Sequence, residues 1–167
     1  MQTSKHSSHP ILSQTENNTT LWIGHSPTDP TDHFAGQIFK CPSGGLVNNI
    51  QIYSSTVNQP GEISLTLHEF DTASKTWGPS IGNSSRFFQL GDNKQWIRFG
   101  LEPVAMKKDV TYGFRLQTND ALIGIGEAAT GNKKPFNFGF EWNGDSNNAK
   151  GNFFTYFSLA FKVEMYA

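Results

Sequence analysis

The chain has 167 residues, enough for one domain with a full core, and a formal net charge of −1 from only 16% charged residues. Its basic residues are scattered, with Lys107-Lys108 and Lys133-Lys134 no more than pairs, so the clustered cations that phosphate binding needs are missing and nucleic acid is not expected as a partner. A single cysteine, Cys41, excludes an intrachain disulfide, and no apolar run approaches the roughly 20 residues of a membrane span.

Residues 1–20 are rich in Ser, Thr, Asn, Gln and His, with Ile11 and Leu12 the only bulky apolar pair. That composition predicts a flexible polar lead-in. It holds no apolar run long enough for the core of a signal peptide, so a cytoplasmic location is the default and an extracellular one follows if the chain is trimmed. From Leu21 onward, short apolar segments alternate with Gly, Pro, Asn, Asp and Ser clusters, the pattern of an all-β domain.

Trp22 opens the first strand, 21–25, and reads as a structural residue. His25 and His33 flank "SPTDPTD". With Asp29 and Asp32 they compose a conceivable zinc or manganese set, and a Pro-interrupted turn is the simpler interpretation. The strand 34–40 admits two registers, with either Phe34 and Ile38 or Phe39 inward. Cys41 at its end reads as a small buried hydrophobe rather than a nucleophile. In 48–55, Ile50 and Ile52 share a face. In 62–70, Ile63, Leu65 and Leu67 alternate with Ser64, Thr66 and His68, which puts His68 toward water. Residues 71–86 read as a polar loop in which Trp77, before Gly78-Pro79, is either a capping residue or an exposed platform. Strands follow at 85–90, at 95–100, where Ile97 and Phe99 oppose Trp96 and Arg98, and at 110–118, with Tyr112, Phe114 and Leu116 together. Further strands lie at 121–126, 135–141 and 153–166. "GIGEAATG", 124–131, precedes no helix-forming run and reads as a strand entering a loop. About ten antiparallel strands at this spacing predict a two-sheet β-sandwich over residues 21–167.

The succession "GQIFKCPSGGLVNNIQIYSS" (36–55), "GEISLTLHEFD" (61–71), "KQWIRFGLEPVAMKKDVTYGFRLQT" (94–118) and "FSLAFKVEMY" (157–166) resembles the jelly-roll β-sandwich modules of bacterial and phage proteins. These are similar to carbohydrate-binding and galactose-binding-like domains. The likeness covers about residues 34–167 and rests on core and turn positions. It implies a non-catalytic module that binds glycans, carries a structural calcium ion, or serves as a spacer or assembly unit.

No nucleophile elbow, no His-Glu-x-x-His or Cys-x-x-Cys spacing, and no phosphate-loop pattern occurs. The segment "EWNGDSNNAKGN", 141–152, combines Trp142 with Glu141, Asn143, Asp145, Asn147 and Asn148. An aromatic face suits the C–H side of a sugar ring, and amides and carboxylates suit its hydroxyls, so these residues together with Trp77 form the candidate glycan site. A calcium ion held by the same oxygen donors, and a plain solvated loop with Trp142 tucked into the domain edge, are the competing accounts. Two other functions stay open. One is a homo-oligomeric assembly protein using Phe87, Phe136, Phe138 or Phe154. The other is a glycan-active enzyme whose nearest carboxylate pairs are Glu69 with Asp71 and Glu141 with Asp145.

Overall fold

In a computed structural model that describes residues 7–167, the chain is all-β, with thirteen strands and, among the described residues, no helix. In order they are β1 (Ser8–Gln14), β2 (Thr19–Ser26), β3 (Asp29–Lys40), β4 (Gly45–Gln59), β5 (Gly61–Asp71), β6 (Thr76–Phe88), β7 (Gln95–Met106), β8 (Thr111–Thr118), β9 (Leu122–Ala129), β10 (Gly139–Asp145), β11 (Asn148–Phe154), β12 (Phe157–Leu159) and β13 (Phe161–Tyr166). Among the described residues, no helix is long and apolar enough to cross a membrane.

All pairings are antiparallel and join into one branched sheet. Its main path runs β1-β13-β4-β9-β2-β3-β8-β5-β6, with β7 on β4, β12 on β9, and the β10–β11 hairpin on β3. The strands around β4 and those around β8 are joined by ladder hydrogen bonds through β2. Residues 19–24 of β2 pair with β9, after which Gly24 and Ser26 pair with His33 and Asp29 of β3. The switch occurs at Gly24, whose φ of +99° belongs to the left-handed region and whose missing side chain leaves room for the Ala121 carbonyl.

The alternating apolar positions read from the sequence do build the core. Ile50 and Ile52 of β4, Ile63, Leu65 and Leu67 of β5, Ile97 and Phe99 of β7, and Tyr112, Phe114 and Leu116 of β8 are all buried in one cluster. Phe161 of β13 packs on Phe39 of β3 and Phe114 of β8, with ring centroids 6.0 and 5.8 Å apart, although β13 shares no ladder with either strand. Of the two registers open for 34–40, Phe39 faces this core, and Ile38 joins a second cluster on the opposite face. Cys41 is buried, and burial pushes its thiol up.

Several expectations are corrected. Residues 8–14 are not a lead-in: they form β1, paired along its length with β13, and bury Leu12 and Gln14. Residues 1–6 of that expected segment lie outside the described residues. The loop expected at 71–86 is mostly strand, because β6 begins at Thr76. Pro79 fits there because β6 is the last strand on the path and its pairing with β5 shifts register around His68, so a missing N–H costs little. The strand expected at 135–141 begins only at Gly139, and 153–166 is divided among the end of β11, β12 and β13. His68 is buried, not solvated. It bonds the Gly78 carbonyl at 2.9 Å and the Thr66 hydroxyl at 2.8 Å, and burial lowers its pKa.

Candidate functional site

The expected loop 141–152 is a β-hairpin, and its two leading residues are sealed on opposite faces. Trp142 is 1% exposed. Its indole rests over Gly36 of β3, donates Nε1–H to the Lys150 carbonyl at 2.9 Å, and meets Trp77 edge-on at 5.4 Å. Phe70, Phe140 and Phe153 complete this aromatic cluster, and the Arg115 guanidinium stacks 4.8 Å from Trp77 and 5.8 Å from Trp142. Trp77 is half-buried over Gly113. Neither indole stands free as a platform: of the accounts open for Trp142, the structure agrees with the one that tucks it into the domain, and distant strands supply the cover.

Glu141 is 0% exposed and faces the interior beside Gln37, its partner on β3. Its carboxyl is pushed up to about 10, first by burial and then by the neighbouring Glu127 carboxyl, with Asn143 opposing. Neither Glu141 oxygen has a hydrogen-bond partner, so little in this buried setting compensates a charge on the carboxyl and the neutral acid is favoured. Around the pair, Gln37 accepts the Leu159 N–H at 2.9 Å, Gln14 donates to the Leu159 carbonyl at 3.0 Å, and Thr19 donates to Glu127 at 2.8 Å. This polar end of the interior ties β12 to β1 and β3.

The remaining residues of the expected site serve the hairpin tip. Asp145 accepts the Asn147 N–H at 2.8 Å, and Asn148 accepts the Gly151 N–H at 3.2 Å. Asn147 donates to Thr31 at 3.3 Å, and Ser146 N–H bonds the Asp32 carbonyl at 2.9 Å. Asn143 pairs with Ala35 and Asn152 in the ladders. The tip thus buttresses the β2–β3 hairpin.

That buttressed hairpin lines a cleft beside an exposed indole. Alternation in β2 sends Leu21 and Ile23 inward and Trp22 outward, where it lies over Gly124 of β9 and stays 40% exposed. The corner at Gly24 then turns the chain toward β3 and opens a cleft of about 280 Å³ beside the indole. Its lining adds His25, Ser26, Asp29, His33, Asn58 and Leu122. His25 Nδ1 lies 2.5 Å from Asp32 Oδ1, and His33 Nε2 lies 3.3 Å from Asp29 Oδ2. Hydrogen bonds, chiefly from the Thr31 N–H and next from His33, hold the Asp29 carboxyl below its ordinary pKa. The four side chains form two separate His–Asp pairs, and among the described residues no three His, Cys, Asp or Glu converge as a metal set. The expectation of a structural Trp22 overlooked its exposure, although the apolar flanks of "LWIG" already place it on the outer face.

No protein-family model and no curated protein matches the chain.

Proposed function

We propose that the chain is a non-catalytic binding module in which the branched sheet folds into two packed layers, a jelly-roll-like sandwich, and that it recognises carbohydrate at the Trp22 cleft. The exposed indole beside a polar cleft carries the proposal. An indole face stacks on the C–H side of a sugar, while Asp29, Asn58, Ser26 and the two imidazoles offer in-plane partners for hydroxyls. Packing of Phe161 against Phe39 and Phe114, from strands that share no ladder, supports the layered arrangement. A non-catalytic role is supported by the condition of the candidate acids: Glu141 is sealed from solvent, and Asp71 is engaged with the Ala73 and Ser74 amides. Glycan-array binding by the wild type and by Trp22→Ala is the test. Binding to a sugar class that is lost in the variant is the expected result. Binding that survives the substitution places the site elsewhere, and no binding removes the glycan function.

A homo-oligomeric assembly role is the second possibility, favoured by Phe87 and Phe138, which are 55% and 57% exposed. Phe136 is buried and Phe154 half-buried, so only the first two of the four expected contacts stand free. Light scattering at low micromolar concentration separates the two functions.

A further inference from the structure

We infer that the Trp22 cleft selects a sugar carrying a protonated amine over neutral and acidic glycans, an inference that rests on the carbohydrate function proposed above. The residues lining the cleft include no Lys or Arg. Its ionisable groups are His25, His33 and Asp29, with Asp32 behind His25. The hairpin from His25 to His33 carries two carboxylates and no Lys or Arg. The local field therefore attracts cations and repels carboxylate or sulfate groups on a ligand.

Two observations point to an amine rather than to a hydroxyl alone. The face of an indole carries partial negative charge and attracts an ammonium group more strongly than a neutral one, above all Trp among the aromatic side chains. Asp29 is exposed, and its two oxygens meet the Thr31 N–H, the Thr31 hydroxyl and the His33 ring, fewer than the about four lone-pair positions on a carboxylate. Free acceptor capacity on a charged carboxylate beside an aromatic wall is suited to a charge-assisted N–H bond. Asn58 and Ser26 remain for neighbouring hydroxyls.

The test is calorimetric titration with a β-1,4-linked glucosamine oligomer, its N-acetylated counterpart and a uronic-acid oligomer of equal length, at a pH where the amine is protonated. The wild type is expected to bind the amine form at least about tenfold more tightly than the acetylated form, equivalent to about 1.4 kcal/mol, and the uronate least. Asp29→Asn is expected to erase the preference, bringing the amine form down to the affinity of the acetylated form, and Trp22→Ala to weaken binding to all three. Both side chains are exposed, so neither change threatens the fold. Equal affinity for amine and acetylated forms, or a preference that survives Asp29→Asn, overturns the amine selection and leaves the carbohydrate function standing. No binding of any oligomer overturns both.

Discussion

Glu141→Gln keeps the shape of a fully buried side chain and removes its ability to ionise. In the folded protein the Glu141 carboxyl is pushed up to about 10, mainly by burial; in an unfolded chain it titrates near 4.5. Between these values the folded state holds a proton that the unfolded state has released. Stability is therefore complete below 4.5 and falls as pH rises toward 10, by about 1.4 kcal/mol per pH unit. Near neutral pH, about two and a half units above the unfolded value, the loss reaches about 3 kcal/mol. That is a substantial part of the about 5–15 kcal/mol that holds an ordinary domain together. A glutamine amide fills the same space and releases no proton on unfolding. Urea denaturation followed by tryptophan fluorescence, from about pH 4 to about pH 9, is the assay. Wild type and variant are expected to agree at the acid end. The variant should exceed the wild type by a margin that grows as pH rises, up to about 3 kcal/mol near neutrality. A gap that does not change with pH, or a variant less stable throughout, would refute the assignment of Glu141 as a buried acid that keeps its proton.

The same geometry makes further demands. Gly24→Ala places a methyl group on the Ala121 carbonyl and forces a left-handed φ, so thermal melts should show a loss of more than about 1 kcal/mol. Trp142→Ala empties the seat between Gly36 and Trp77 and should cost about 3–5 kcal/mol in chemical denaturation, as for a core residue; a loss under about 1 kcal/mol would mean that the indole lies at the surface. His68, buried against Trp77, should titrate by NMR below its usual 6.5. Its contribution to stability is complete above 6.5 and is lost as pH falls through the lower folded value. Cys41 should resist a thiol reagent in the native protein and react on unfolding, since its thiol is buried and raised.

The core was legible in the sequence because period-two alternation needs only local information. β5 shows it from Ile63 to Leu67 and β8 at Tyr112, Phe114 and Leu116, and these inward residues are buried; it breaks at His68, where the register with β6 shifts. Edges were harder. β1 has a polar composition and is ordered by pairing with β13, at the far end of the chain. The first half of β6 contains Gly78, Pro79 and Gly82, residues that mark turns in isolation and are tolerated on an edge strand with shifted register. The hairpin at 141–152 was taken for a loop because Asn and Asp dominate it. Their side chains do form turn bonds, but only at the tip, around Ser146 and Asn147.

The misplacement of the site follows from the same limit. Alternation in β10 sends Glu141 and Trp142 to opposite faces, and such a pattern ordinarily leaves one face to solvent. Here both faces are covered by strands remote in sequence. Glu127 of β9 meets Glu141, and Trp77 of β6, folded over Gly113, meets Trp142. A tryptophan followed by asparagines therefore looks free when it is sealed. Trp22 presents the reverse case. It too stands on a strand with alternating neighbours, but the corner at Gly24 carries the chain away before anything can cover it. Exposure of an aromatic residue is thus decided by what the topology brings over it. At β2 the deciding residue is a glycine two positions from the indole, and the hairpin tip of β10 and β11, first taken for the ligand contact, holds the opposite wall in place through Asn147 and Ser146.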